Sequence, residues 1–372
     1  MATVTPNPNT IRAIVTDDTA LYRRTIGDIL RGIPDVEVIG SAFDGEDCLE
    51  MVQKLNPDLI TLDIQMPRRD GLSTLQELRR RKVTSEVVMV CSETVESADQ
   101  TLLALRMGAL DLILKPHGSD LSENRRNLES QLKQQIQTVR FRRTKRPPST
   151  LQSMDLPRAA TDDKGHSNLV KRPPSFGKPR CVCIGVSTGG PQALGLLVPG
   201  LPADLPVPIF IVQHMPPVFT KSLADHLNKA GNVRVSEAID GEIAVAGHIY
   251  IAPGGKQMRI ENKGASFQIR ITDDPPLASC KPSVDYLFHS VDSCVGKDAL
   301  AIILTGMGHD GLAGCKRLHA SGARVIAQSA ETCVVYGMPR QIIEHNLAHE
   351  ILPLDQISRR LALFTQSLAA CN

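Results

Sequence analysis

No uninterrupted apolar run in the 372 residues reaches the length of about 18 that a membrane-crossing helix needs, so no such helix is expected. The first residues, MATVTPNPNTIR, hold no apolar core of a secretion signal. The expected location is therefore the cytoplasm. An excess of one charge is missing too: 42 Lys and Arg stand against 40 Asp and Glu, a formal net charge of +2. That balance gives no global pull toward nucleic acid or an anionic membrane. Nine cysteines are present, an odd number, and none falls in a CxxC or CxxxC zinc pattern. Cys181 and Cys183 lie two apart in an apolar strand run and share one face, which reads as buried small hydrophobes. Reduced thiols fit a cytosolic protein.

What is present is a chain long enough for two or three domains. Residues 11–116 alternate apolar strand runs with helical patterns. IRAIVTDD (11–18), VEVIGSA (36–42), DLITLDIQMP (58–67), EVVMVCS (86–92) and GALDLILKP (108–116) read as strands. Helical patterns fill the intervals at 21–33, 45–55, 71–81 and 98–107. Such alternation builds βαβ units around a parallel sheet, a five-stranded doubly wound α/β domain. Ligands of these sheets bind beyond the carboxyl ends of the strands. Asp17, Asp18, Asp63 and Lys115 all fall at such ends. Crowded carboxylates repel unless a hard cation joins them, and Mg²⁺ with oxygen ligands fits. A lysine ammonium suits a phosphoryl group as a point charge. A single strand-end Asp is often only a turn former or cap. Four charged residues gathered at three strand ends resist that explanation.

The pattern Asp17-Asp18, Asp63 in DIQMPRRDG (63–71), and Lys115-Pro116 resembles the receiver domain of response regulators. The resemblance implies that Asp63 accepts a phosphoryl group from a chemotaxis histidine kinase. It also implies that Mg²⁺ is held by Asp18, Asp63 and the carbonyl of Gln65, with Asp17 assisting. Lys115 would contact the phosphoryl group. Receivers usually carry Ser or Thr where this chain has Cys91, a departure that bears on how the phosphoryl group is sensed.

Residues 120–143 have helical periodicity, with Leu121, Leu128, Leu132 and Ile136 on one stripe and Ser122 as a possible cap. A basic run follows, Arg140, Arg142, Arg143, Lys145 and Arg146. It reads either as part of a solvated linker or as a site for an anionic partner. Residues 145–180 are rich in Pro, Ser and charge, the composition of a flexible linker. The expected boundaries are a receiver at 11–120, a helix and linker at 121–178, and a second domain at 179–372.

The second domain opens on CVCIGVSTGGPQAL (181–194): an apolar strand, a glycine-rich turn carrying Ser187, and a helix opened by Pro191. Gly185 to Gly189 fits G-x-S-x-G, a motif in which a serine nucleophile sits on a tight strand-to-helix turn. By itself the match also describes any glycine-rich turn that contains a serine. Further strands end in Gln213-His214 and in LTGMGHDG (304–311), so this half is again mostly parallel α/β. Ser187, His214 and Asp310 thus stand at strand ends as nucleophile, base and orienter. Serine needs a base as it attacks, histidine titrates near neutrality, and a carboxylate on the other ring nitrogen fixes the tautomer. Glycines 306, 308 and 311 let the backbone turn an N–H toward a developing oxyanion. Other readings compete. His309 could be the base, Thr188 the nucleophile, and Asp285 the third member. Asp310 could simply cap the helix that follows it.

The order Ser, His, Asp differs from that of α/β-hydrolases. GVSTGGP, QHMPPVFTKSLADHLN, KPSVDYLF, LTGMGHDG and VVYGMPR (334–340) closely resemble the catalytic domain of the CheB family of chemotaxis protein-glutamate methylesterases. The resemblance runs from about residue 180 to 365. It implies a triad of Ser187, His214 and Asp310, with the Met307 amide in the oxyanion hole and no cofactor in this domain. The implied substrates are glutamyl methyl esters, and glutamines for deamidation, on methylated chemoreceptors. It also implies that the unphosphorylated receiver covers the active site. Two other functions remain to be weighed, a response regulator with a DNA-binding output and a nucleotide-binding scaffold. The first needs a reading helix and a basic face; the second needs G-x-G-x-x-G, which G-x-x-x-G-G is not.

Overall fold

The computed structural model describes residues 10–144, 179–277 and 280–369. The expected flexible linker lies, from residue 145 to 178, outside the described residues. The first half contains strands β1 (Ile11–Thr16), β2 (Val36–Ala42), β3 (Leu59–Asp63), β4 (Glu86–Cys91) and β5 (Asp111–Leu114). Helices α1 (Ala20–Arg31), α2 (Gly45–Leu55), α3 (Gly71–Arg80) and α4 (Val95–Arg106) separate them, and α5 (Leu121–Thr144) follows. The strands pair in parallel in the order β2-β1-β3-β4-β5. The near-continuous apolar runs of β1, β3 and β4 reflect burial on both faces, while the edge strand β2 is mostly part-buried.

Turn chemistry sets the ends of these elements. Asp44 and Asp70 cap α2 and α3, accepting from the amides of Asp47 and Ser73. Asn56 closes α2 in the left-handed conformation, immediately before Pro57. At α5 the capping residue is Asp120, whose carboxylate accepts from the amides of Ser122 and Glu123, rather than Ser122 itself. An aspartate two residues before Ser122 reaches those amides as an Asx turn. Leu128, Leu132, Ile136 and Val139 form the buried stripe of α5, while Leu121 stays 80% exposed in its first turn. The arginines at the end of α5 are turned inward on the protein. Arg140 reaches Pro34 O, Arg142 pairs with Glu86 at 2.8 Å, and Arg143 reaches Thr10 O at 2.8 Å. Lys145 and Arg146 lie outside the described residues.

The second half is built on seven strands, all parallel, in the order β15-β14-β13-β6-β7-β10-β8. They are β6 (Cys181–Val186), β7 (Ile209–Gln213), β8 (Arg234–Glu237), β10 (His248–Ile251), β13 (Ala299–Ile303), β14 (Arg324–Gln328) and β15 (Glu350–Leu352). β9 (Ile243–Ala244), β11 (Gln257–Lys263) and β12 (Ser266–Thr272) form a small antiparallel sheet beside it. The helices are α6 (Gly190–Leu197), α7 (Phe219–Ala230), α8 (Val284–Val295), α9 (Leu312–Ala320), α10 (Met338–Glu344) and α11 (Leu354–Ala369). Cys181 and Cys183 are fully buried in β6, packed with Phe210, Ala301 and Cys315. No helix among the described residues is long and apolar enough to cross a membrane.

The strand order positions the site. From β6 the chain steps to β7 on one side and later returns to β13 on the other. The carboxyl ends of β13, β6 and β7 therefore flank a switch point, where an open parallel sheet forms its crevice. In the receiver the same geometry occurs at β1, between β2 and β3.

Candidate active site

Ser187 follows β6 directly, on a turn that only small residues permit. Gly189 has φ +78°, in the left-handed region, and a Cβ there would lie 2.4 Å from Val334 Cβ. A Cβ on Gly306 would lie 2.8 Å from Ser187 Cβ, so this glycine lets the loop after β13 pass close to the serine. Gln213, buried at the end of β7, donates to the carbonyls of Ser187 and His214, both at 3.0 Å. It ties the serine turn to the histidine turn, a positioning role that its sequence position at a strand end did not reveal.

His214 follows Gln213, and its Nε2 lies 2.7 Å from Asp310 Oδ2. Asp310 comes from the loop after β13, but it does not cap α9. Its oxygens instead accept from the Ser283 hydroxyl (2.9 Å) and from the amides of Val284 (2.7 Å), Asp285 (3.0 Å) and Gly311 (3.0 Å). The carboxylate thus sits at the N-terminus of α8, where amides point outward and the helix dipole favours negative charge. Burial pushes Asp310 up, but these donors and His214 outweigh it, holding the carboxyl below its ordinary value. Burial also acts to lower His214, yet the bonds to Asp310 and Cys280 prevail and raise it to about 9.

Ser187, His214 and Met307 line one cavity of about 400 Å³. Among the described residues, His214 hydrogen-bonds to Asp310 and to Cys280, whose Sγ is 3.9 Å from Nδ1, and not to Ser187. Catalytic bonds are often open before substrate binds. With Nε2 on Asp310, Nδ1 is the nitrogen left beside Cys280. Cys280 was not anticipated, since it stands in an aperiodic loop, DDPPLASCKP.

The competing residues are accounted for separately. His309 is exposed on the loop. Asp285, in the first turn of α8, accepts from the Gly314 amide at 2.7 Å, and burial beside Asp310 pushes it up to about 6. The Thr188 hydroxyl donates at 2.8 Å to Asp111 Oδ2, which belongs to the receiver.

That last bond belongs to a wider seam between the halves. Asp111, Leu112, Gln131, Gln134 and Gln135 wall the cavity opposite the serine. Gln192 Nε2 donates to Leu105 O and to Ala109 O (3.0 Å), and Arg142 reaches Val334 O at 3.2 Å. The Thr138 hydroxyl of α5 donates to Met307 Sδ at 3.4 Å.

In the receiver, Asp17, Asp18 and Asp63 each bring one oxygen within 4.8 Å of the others. Lys115 Nζ lies 2.8 Å from Asp17 and 2.7 Å from Asp63. Burial pushes Asp63 up to about 6; Lys115 opposes this and the Asp17 charge adds to it. Burial also raises Asp17. Buried, mutually repelling oxygen donors fit a hard cation such as Mg²⁺. Gln65 is exposed on the loop after β3. Cys91 ends β4, fully buried, with its thiol donating to Ile113 O at 3.6 Å.

The CheB methylesterase family matches residues 182–361, and the response regulator receiver domain family matches residues 13–126. A protein-glutamate methylesterase/protein-glutamine glutaminase of Desulfotalea psychrophila is 44% identical over 357 residues, 94% of this chain and 97% of its own. The protein of the same description from Bacillus subtilis is 41% identical over 351 residues, 94% of this chain and 96% of its own. The crystal structure of the Thermotoga maritima CheB methylesterase catalytic domain is 39% identical and covers 50% of this chain and 97% of its own, with a TM-score of 0.49.

Proposed function

This chain belongs to the CheB methylesterase family, and from that premise we propose that it hydrolyses glutamyl methyl esters, and deamidates glutamines, on chemoreceptors, under the control of phosphorylation at Asp63. The observation that carries the mechanism is the convergence of Ser187, His214 and Asp310 at the switch point of one parallel sheet, with His214 anchored to Asp310 at 2.7 Å. Ser187 Oγ attacks the ester carbonyl as His214 Nδ1 takes its proton. The imidazolium returns that proton to the leaving methanol, or to ammonia in deamidation, and an acyl-enzyme remains. Water, activated by the same nitrogen, then releases glutamate and Ser187. Asp310 stabilises the imidazolium and keeps the ring oriented. The Met307 amide donates to the oxyanion formed at each attack. The domain needs no cofactor for this chemistry.

The gate is the receiver. Residues of β5 and α5 wall the cavity, and Thr188, next to the nucleophile, is bonded to Asp111. A histidine kinase of the chemotaxis system supplies the phosphoryl group to Asp63. Asp18, Asp63 and the Gln65 carbonyl, with Asp17 assisting, would hold Mg²⁺, which neutralises charge on the phosphoryl oxygens. Lys115, now bridging Asp17 and Asp63, turns to the phosphoryl group. Lys115 and Asp111 share the β5 segment, so a shift at the phosphorylation site is carried to the seam. A DNA-binding output has no support in this family, nor does a nucleotide-binding scaffold.

The test is methanol release from methylated receptors, with and without a small phosphodonor. Ser187→Ala and His214→Ala should each lose nearly all activity, and the double variant should be little worse, because members of a triad act as a unit. Asp63→Ala should keep the basal rate and lose the activation. Wild-type methanol release from Ser187→Ala would overturn the mechanism.

A further inference from the structure

Cys280 stands beside the one histidine nitrogen that the triad leaves open. Its Sγ lies 3.9 Å from His214 Nδ1, on the wall of the catalytic cavity. The backbone fixes it there. Its N–H and C=O pair with Leu277, its carbonyl also accepts from Gln257 at 3.3 Å, and Lys281-Pro282-Ser283 leads straight into α8. The Lys281 ammonium is turned away, paired with Asp273 at 2.6 Å, so no free cation from that side chain faces the thiol.

We propose that His214 Nδ1 and Cys280 Sγ form a binding site for a thiophilic divalent cation, with Zn²⁺ as the reference, whose occupancy shuts off hydrolysis. Zinc holds imidazole nitrogen at about 2.0–2.1 Å and thiolate sulfur at about 2.3 Å, which sets the two atoms about 3.6 Å apart in a tetrahedral site. The observed 3.9 Å is close to that spacing. Asp310 is not a further ligand, since its two oxygens already serve His214, Ser283 and three amides. It acts instead as the outer carboxylate on Nε2, the arrangement that fixes the tautomer and raises the basicity of a metal-binding histidine. Ser187, His214 and Cys280 line one cavity of about 400 Å³, so water or the Ser187 hydroxyl can supply the other coordination positions. Sulfur with imidazole selects Zn²⁺ over Mg²⁺, so this site differs in kind from the all-carboxylate cluster of the receiver. Binding releases the thiol proton and any proton carried on His214 Nδ1 to solvent and fills the lone pair that His214 needs to deprotonate Ser187. The inhibitory effect rests on the reading of His214 as the catalytic base; cation binding does not.

The experiment uses the full chain. Methanol release is titrated with buffered Zn²⁺ in wild type, Cys280→Ala and Cys280→Ser, and Co²⁺ binding is followed by its thiolate-to-metal charge-transfer absorption. The expected results are inhibition reversed by a chelator, an inhibitory Zn²⁺ concentration raised about tenfold or more in Cys280→Ala, and a charge-transfer band lost in Cys280→Ser. Equal Zn²⁺ sensitivity of wild type and Cys280→Ala, or an unchanged band in Cys280→Ser, overturns the site. A wild type without esterase activity overturns the proposed function instead, and the Co²⁺ spectrum still decides the site.

Discussion

Replacing Asp111 by alanine should raise the activity of the unphosphorylated protein without touching any catalytic atom. Asp111 Oδ2 accepts from the Thr188 hydroxyl at 2.8 Å and from Gln135 at 3.2 Å, while Oδ1 accepts from its own neighbour, the Leu112 amide. Only the first of these bonds crosses between the halves. A hydrogen bond to a charged group contributes about 1.5–3 kcal/mol. Burial pushes the Asp111 carboxyl up, which moves the value toward the lower end of that range. At about 1.4 kcal/mol per factor of ten, the undocked state should become about 10-fold more populated, with about 100-fold as the ceiling. Asp111→Asn keeps an oxygen for Thr188 and should show a smaller gain, since a neutral bond contributes only about 0.5–1.5 kcal/mol. The assay is methanol release without phosphodonor, with the fully phosphorylated rate as the reference, because undocking cannot exceed it. An Asp111→Ala protein with a wild-type basal rate and a normal phosphorylated rate would refute the reasoning, and the Thr188 contact would then hold nothing shut.

Two further outcomes follow from the site. His214 is raised to about 9, and its protonated form cannot take the serine proton, so kcat/KM without phosphodonor should climb about tenfold per pH unit between pH 6 and 8; with Ser187→Ala as the blank for alkaline hydrolysis, a plateau already reached at pH 6 would contradict the assignment. Cys91→Thr should increase the activation ratio on adding phosphodonor, because a hydroxyl at the end of β4 is a stronger donor to the phosphoryl group than a thiol, whereas an unchanged ratio would mean that Lys115 carries the switch without help from this position.

Both sheets were legible because parallel strands buried on two faces write themselves as apolar runs. The placement of Ser187, His214, Asp310, Asp63 and Lys115 at strand ends was legible for a related reason, since open parallel sheets form their crevices there. What escaped is what no local pattern encodes. β8 is a four-residue edge strand, RVSE, with one buried apolar residue, Val235, too short for a period to show. Asp310 precedes α9 in the chain and reads as its cap, yet its amide partners are mainly those of α8, which only tertiary packing brings close. Cys280 acquires meaning from a turn that carries it to His214. The bonds of Asp111, Gln192 and Thr138 depend on how two separately patterned halves dock, and nothing in either half alone points to them.

Because one cavity is walled by both halves, an incoming receptor segment would, under the proposed function, compete with the docked receiver for the same space. Coupling between two binding events is reciprocal: whatever factor one adds to the other is returned in full. If phosphorylation frees the cavity for substrate, substrate in the cavity must favour the phosphorylated receiver by the same factor. A densely methylated receptor array would then do more than consume the enzyme's activity. It would prolong the signal that licenses its own demethylation, and that support would fade as the esters are used up.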